Sequence, residues 1–335
     1  MGLEKSTYDW FCSYLVCRKQ FVSIDGSGGP ERCVSCGVPQ GSILAPTLFL
    51  IYINSMSQLK LTGILRLYAD DSLLVYFGDS FETIKNLIIN DLHQITKWLD
   101  SHKLSLNIKK SSYIFLSNRV PEAQEPISIG QNKKLHYSKQ IKYLGLWIDE
   151  TLSWDHHIDY LRNKIRGPIG ILRKLNKLIP KRLLRSLFFS LIQSQLQYLT
   201  AAWFPTKKKV INPLIILHKR AIKNMYGLPN TFPTEQLYKK FNITSLSNIY
   251  NIQICKFFHQ IINSNRHSSI VINSRNNIHS HSTRFCNNLE TLLPQNNTGL
   301  NSLLFKGISV YNKLPDHLKN LSYQNFKMKI RKYFQ

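Results

Sequence analysis

The chain has 335 residues, 43% of them hydrophobic, which is enough to bury a substantial core over two or three subdomains. Its formal net charge of +25 calls for a polyanionic partner, with nucleic acid ahead of an anionic membrane. The longest apolar run, Ile43 to Ile53, is well short of the ~20 residues of a spanning helix, and Glu4, Lys5 and Asp9 stand where a secretory signal needs an apolar stretch.

Tyr8 to Leu15 reads as a short amphipathic helix, followed by a strand at Gln20 to Ile24, a turn at Gly26 to Pro30 and a partner strand at Cys33 to Ser35. Gly37 to Ser42 breaks the chain, and Pro46 then suits the first turn of an apolar helix running to about Leu59. Leu65 to Tyr68 and Leu73 to Tyr76 are predicted strands joined by a tight turn that carries Asp70 and Asp71. A strand frame rarely tolerates adjacent carboxylates without a cation against them, so the pair is a candidate divalent-metal site. Taken alone, two Asp in a turn are ordinary, because Asp bonds its own backbone there.

Asp79-Ser80-x-Glu82 predicts a helix start, with Phe81, Ile84, Leu87, Ile88, Leu92, Ile95, Trp98 and Leu99 at helical spacing behind it. Leu104 to Ile108, Tyr113 to Leu116 and Ile141 to Ile148 read as strands, and Pro121 to Pro126 as a loop. The first 150 residues are therefore expected to be α+β, with helices packed on a mostly antiparallel sheet.

After Thr151 helices take over, beginning with the stripe Trp154, Ile158, Leu161, Ile165, Ile169, Leu172 and Leu175, which Gly167-Pro168 should kink or break. The other face of that helix is expected to carry Arg162, Lys164, Arg166, Arg173, Lys174 and Lys177, a solvated face or, in preference, a track for a phosphate backbone because almost no acids balance them. Lys181 to Leu199, Asn212 to Tyr226 and Leu246 to Ile262 are further helix candidates. The expected organisation is an incomplete α+β domain over 1–150, an all-α region over 151–262, a linker or mobile loop over 263–298 and a small basic, helical module over 299–335.

Beyond Asp159 the only acids are Glu235, Glu290 and Asp316, so carboxylate chemistry belongs to the first 160 residues and a ribonuclease H centre is excluded from the second half. Six cysteines without a secretory signal predict free thiols in a reducing compartment. Cys12, Cys17, Cys33 and Cys36 read as buried thiols rather than zinc ligands. The stretch bearing Cys255, His259, His267, His279, His281 and Cys286 reads as a solvated segment.

Gly37-Val38-Pro39-Gln40-Gly41-Ser42-Ile43-Leu44-Ala45-Pro46-Thr47-Leu48-Phe49, followed by Tyr68-Ala69-Asp70-Asp71, resembles the reverse transcriptase of non-LTR retrotransposons of the jockey and CR1 type. Leu106-Asn107-x-x-Lys110-Ser111 and Tyr143-Leu144-Gly145-Leu146-Trp147-Ile148-Asp149 resemble its two later palm motifs. Trp154-x-x-His157-Ile158 looks like the start of its thumb, and Lys306-Gly307 with Tyr311 to Pro315 like its C-terminal block. Four ordered motifs at family spacing carry the likeness over nearly the whole chain.

The resemblance implies an RNA-directed DNA polymerase using Mg²⁺ or Mn²⁺, an RNA template, a DNA primer and deoxynucleoside triphosphates, with no membrane. It also implies an intracellular location, the nucleus with a cytoplasmic ribonucleoprotein stage. Asp70 and Asp71 would be the catalytic, metal-binding carboxylates. Gln40 and Gly41 would lie against template and nucleotide, and Lys110 near the triphosphate unless it is a surface lysine beside Lys109. Tyr143 and Gly145 would belong to a primer grip, with the cations from Arg162 to Lys177 on the nucleic-acid backbone. Ala45 replaces a usual Gly, and Ser55 a frequent Asp. The family's first catalytic Asp lies before the segment resembled by Trp10 to Gln20, so the expectation is a polymerase fragment inactive by itself. A non-catalytic nucleic-acid-binding remnant and a group II intron maturase are the alternatives.

Overall fold

The structure, a computed structural model, describes residues 4–117, 125–129, 133–263, 288–290 and 303–334. The chain divides into two compact units, Met1–Tyr113 with Pro121–Tyr137 and Ile114–Val120 with Ser138–Gln335.

The first unit opens with α1 (Lys5–Leu15), β1 (Arg18–Gln20), β2 (Ser23–Ile24), β3 (Ser27–Gly28) and β4 (Arg32–Val34), where β1 pairs antiparallel with β4 and β2 with β3. α2 (Ala45–Asn54) has its proline in the first turn, and a 3-10 turn replaces its predicted end from Ser55 to Gln58. The hairpin β5 (Ile64–Tyr68) and β6 (Asp71–Val75) follows, then α3 (Phe81–Ser101), which Ser80 caps by accepting from Thr83 N at 3.3 Å. β7 (Ser112–Tyr113), β8 (Ile127–Ile129) and β9 (Lys133–Tyr137) complete the unit. The stripe of α3 is the organising surface: Ile95, Trp98 and Leu99 pack with Ile53 and Met56 under Leu65, Leu67 and Leu74. One turn earlier, Leu92 packs on Ile127, Ile129 and Leu135.

The single, mostly antiparallel sheet expected from the sequence is not what forms. Among the described residues there are separate two-stranded antiparallel ladders and one three-stranded sheet, β7-β9-β8, in which β7 runs parallel to β9. Leu104 to Ile108 is extended without being a strand. Its side chains alternate, with Leu104 and Leu106 turned into the core, but no neighbour offers a ladder and the segment ends in a 3-10 turn at Ile108–Lys110. Alternation reports a half-buried extended backbone, whereas a strand also needs a partner.

The second unit begins with a second hairpin, β10 (Gln140–Tyr143) and β11 (Leu146–Asp149), where the sequence predicted one strand and grouped it with the first domain. Then come α4 (Asp155–Leu175), α5 (Lys181–Phe188), α6 (Ser194–Gln197), α7 (Thr200–Trp203), α8 (Lys208–Tyr226), α9 (Thr234–Phe241) and α10 (Leu246–Asn263). α4 passes through Gly167-Pro168 unbroken, because Ile158, Leu161, Ile165, Ile169 and Leu172 are all buried in one core and hold both halves in line. The predicted helix over Lys181–Leu199 is interrupted by a π-helical segment, Phe189–Gln193, that turns Gln193 inward.

α11 (Leu303–Asn312), α12 (Asp316–Lys319) and α13 (Tyr323–Tyr333) pack on α10 around Phe258, Tyr311, Phe326 and Ile330. Cys255 and His259 belong to this core rather than to a solvated segment. His267, His279, His281 and Cys286, with most of the predicted linker, lie outside the described residues, but Leu289 is buried and exchanges two hydrogen bonds with Asn312 (2.9 and 3.0 Å). Cys17, Cys33 and Cys36 are exposed and Cys12 is half-buried, against the expectation of buried thiols, because α1 buries no residue and the β1–β4 ladder is two strands wide. Among the described residues no helix is long and apolar enough to cross a membrane.

Candidate active site and nucleic-acid surface

In the β5–β6 register Tyr68 faces Asp71, which leaves Ala69 and Asp70 as a two-residue turn. Ala69 holds φ +51°, a left-handed conformation that disfavours any side chain. Asp70 and Asp71 are exposed at this tip, and neither pairs with a cation among the described residues. No group of three metal-capable side chains occurs among those residues. Two unpaired carboxylates on an exposed turn fit a hard divalent ion that completes its shell with waters and phosphate oxygens.

The base of this hairpin is fixed by a residue the sequence reading passed over. Asp91, on the apolar stripe of α3, is 1% exposed and accepts from Thr62 N (3.1 Å), Gly63 N (2.8 Å) and Tyr76 Oη (3.0 Å). These donors flank the two strands, so one buried carboxylate clamps the entry of β5 to the exit of β6. Burial, reinforced by the Asp91 carboxylate, pushes the Tyr76 phenol above its ordinary range. The signal was available: Asp91 sits four residues after Leu87 and four before Ile95, on the buried face.

Gln40 and Gly41 occupy the centre of a β-turn closed by Ser42 N donating to Pro39 O at 3.3 Å. Gly41 has φ +85°, and space over its Cα is open, so the backbone conformation demands glycine while leaving the peptide approachable. Ser42 Oγ accepts from Tyr14 Oη (2.6 Å) and from Ala45 N (3.1 Å), tying the turn to α1 and to the start of α2. Lys110 is exposed at the end of the 3-10 turn before β7.

Tyr143 and Gly145 lie in the second unit. Leu144 (φ +45°) and Gly145 (φ +81°) form the turn of the β10–β11 hairpin, and Tyr198 Oη donates to Leu144 O at 2.6 Å. Tyr143 is half-buried opposite Leu146. Asp149, which the sequence marked only as the last residue of a motif, organises the step into α4. Its carboxylate accepts from Thr151 Oγ1 (2.7 Å), Ser153 N (2.9 Å) and Trp154 N (2.9 Å). Burial alone would raise this carboxyl, but the Ser153, Thr151 and Trp154 hydrogen bonds outweigh it and hold it below the usual carboxylate range. Leu152 and Trp154 both have positive φ within this clamp.

The six predicted cations do not share one face. Arg162 is committed to Asp159 at 2.5 Å, and Lys164, on the other side of α4, lies over the Tyr160 ring at 5.5 Å. Arg166 and Arg173 instead face α8 and, with Arg220, line a groove floored by Ile169, Gly170 and Leu217 and edged by Asn224. Arg220 was not in the sequence reading, since it converges with Arg166 and Arg173 only through the packing of α4 on α8. Lys174 and Lys177 are exposed outside that groove.

Residues 2–148 match the reverse transcriptase (RNA-dependent DNA polymerase) family. Similar proteins include the RNA-directed DNA polymerase from mobile element jockey of Drosophila melanogaster, 23% identical over 70% of this chain and 26% of that protein. The corresponding jockey protein of Drosophila funebris is 23% identical over 79% of this chain and 30% of that protein. The probable RNA-directed DNA polymerase from transposon X-element of Drosophila melanogaster is 28% identical over 47% and 18% respectively. The chain thus spans less than a third of the length of these curated relatives. Its mixture of helices and small sheets is consistent with a polymerase fold, and the matched segment contains both the Gln40–Gly41 turn and the Asp70–Asp71 hairpin. Over residues 2–148 the chain is therefore similar to the reverse transcriptase family, and its relatives include proteins of the jockey, X-element and R1 non-LTR retrotransposons.

Proposed function

We propose that the chain supplies part of the active site and the nucleic-acid track of an RNA-directed DNA polymerase that copies RNA from a DNA primer. The observation that carries this reading is the β5–β6 register, which presents Asp70 and Asp71 together at an exposed tip inside the family match. In the reaction the primer 3′ oxygen forms a bond to the α-phosphorus of a deoxynucleoside triphosphate, the bond to pyrophosphate breaks, and the hydroxyl proton leaves to water. Mg²⁺ or Mn²⁺ bound at the carboxylates would supply charge neutralisation for the attacking and leaving oxygens. Asp70 and Asp71 hold position there because Asp91 pins the hairpin base.

In the same reading the open peptide at Gln40–Gly41 lies against template and nucleotide, and the Lys110 ammonium balances triphosphate charge. The Leu144–Gly145 turn beside Tyr143 grips the primer. Arg162, Lys164, Arg166, Arg173, Lys174 and Lys177 contact phosphates, with Arg166 and Arg173 most directly placed because Arg220 joins them. RNA-templated primer extension with Mg²⁺ or Mn²⁺ tests the catalytic part, in this chain or in any longer polypeptide that contains it. Asp70→Asn is expected to reduce extension to background and Asp71→Asn to reduce it less. Extension that survives the double substitution overturns the assignment.

Nucleic-acid binding without polymerisation is the second reading, favoured by the arginine groove, whose residues need no carboxylate to act. It predicts that Asp70→Asn with Asp71→Asn leaves RNA affinity unchanged and that no polypeptide containing the chain extends a primer.

A further inference from the structure

α10 and α13 run antiparallel, since Asn248 Nδ2 donates to Phe334 O at 2.6 Å at one end and His259 stacks on Phe326 at 3.9 Å at the other. Lys256 falls between these contacts, level with Lys327 and Arg331, which are one turn apart on the exposed flank of α13. Lys256 is only 9% exposed, yet its ammonium has no hydrogen-bond or ion-pair partner among the described residues. The other semi-buried lysines of this module are satisfied: Lys306 donates to Pro205 O at 3.3 Å, and Lys319 to Asn288 Oδ1, Asn312 O and Asp316 Oδ1 at 3.1 to 3.3 Å. Its stem is buried while the unpartnered ammonium reaches the surface beside two other cations, in a half-chain whose only acids after Asp159 are Glu235, Glu290 and Asp316, so the three form a concentrated positive patch open to an anion.

We infer that Lys256, Lys327 and Arg331 form an anion site that takes phosphates of single-stranded RNA. The choice of RNA over another polyanion rests on the reverse transcriptase reading; the site itself rests on the unpartnered lysine and its two neighbours. Burial, with Arg331 and Lys327 adding to it, pushes the Lys256 amine down to about 8, so a phosphate that restores its proton has a measurable consequence.

The experiment measures binding of the whole chain to a short, unstructured single-stranded RNA as a function of salt. Lys256→Met with Lys327→Gln and Arg331→Gln removes three contacts, and the slope of log affinity against log salt becomes shallower by about 2. The control removes equal charge from other surfaces through Lys313→Gln, Lys329→Gln and Lys332→Gln, and its slope changes by less than half as much. Equal slopes for the two triple variants mean diffuse charge and overturn the site. Lys327→Gln with Arg331→Gln, which leaves the buried position intact, guards against a folding defect and is expected to make the slope shallower by about 1.4. At pH 8 RNA binding takes up protons in calorimetry across buffers of different ionisation enthalpy, and Lys256→Met abolishes the uptake; no uptake in the unaltered chain overturns the role of Lys256. Loss of binding to phosphatidylserine-containing vesicles with an unchanged RNA slope overturns RNA as the ligand. None of these readouts needs primer extension, so failure of the polymerase reading and failure of this site are separable.

Discussion

Asp91→Ala isolates the clamp beneath the Asp70–Asp71 turn. The substitution removes a 1% exposed carboxylate and leaves Thr62 N, Gly63 N and Tyr76 Oη without their acceptor. Hydrogen bonds to a charged acceptor contribute about 1.5 to 3 kcal/mol each. Thr62 is exposed and its N–H is rehydrated, whereas Gly63 and Tyr76 are half-buried, so two bonds count in full and the expected loss is about 3 to 6 kcal/mol. Tyr76→Phe removes one of the two and is expected to cost about 1 to 2 kcal/mol, with strong coupling to Asp91→Ala in a double-mutant cycle. Hydrogen exchange is the assay, because it resolves the β5 and β6 amides from those of the second unit. Protection should fall at Leu65 to Leu74 and persist in α4 and α8. A loss below about 1 kcal/mol, or one spread evenly over both units, refutes the clamp.

Acid should destabilise the second unit. Burial, aided by the Lys219 charge, pushes His218 from 6.5 down to about 4, and burial, aided by His156, does the same for His157. In both cases the unfolded chain binds the extra proton between those values, so stability is complete above about pH 6.5 and declines as pH falls toward 4, by about 3 kcal/mol from His218. Denaturant titrations across that window check this, and a His218→Gln variant with an unchanged pH profile refutes it. Asp149, held low, adds its own loss only as pH falls below its usual 3.8. Ala69→Gly relieves a positive-φ alanine and should stabilise the hairpin by about 0.5 to 1 kcal/mol, read as slower exchange at Leu67 and Ser72. Among the described residues β5 and β6 have no third strand, and Ile64, Tyr68 and Phe77 are exposed, so the chain should self-associate with concentration. Sedimentation velocity showing a monomer at all concentrations refutes that edge argument.

The parts of the site legible in sequence are those set by neighbours along the chain. A turn carrying Asp70 could be read because the flanking residues alternate, although it falls on Ala69-Asp70 and Asp71 already opens β6; at Gln40–Gly41 the glycine marks a position of positive φ. Periodicity alone did not show the β10–β11 hairpin, for which only the resemblance implied a strand and turn: Ile141, Tyr143, Gly145 and Trp147 keep an alternating pattern straight through the turn. Without Asn or Asp the Leu144–Gly145 reversal carried only the glycine as its mark. Pro168 misled in the opposite direction, since local propensity argued for a break and the buried stripe on either side of it prevailed.

What sequence could not supply is convergence between distant elements. Arg220 joins Arg166 and Arg173 only because α8 packs on α4, and Lys256 meets Lys327 and Arg331 only because α10 packs on α13. Asp91 and Lys256 nonetheless share a local mark, a charged residue on a helix face that its neighbours bury. The physics then separates them. Asp91 is stable there because three donors reach it, so its role is internal to the fold. Lys256 has no such acceptor among the described residues; its stem is buried and its ammonium opens to the surface, where a partner outside the fold can reach it. The charge on a buried face is thus the feature to search for first, and the presence or absence of its partners decides whether it reports architecture or a ligand.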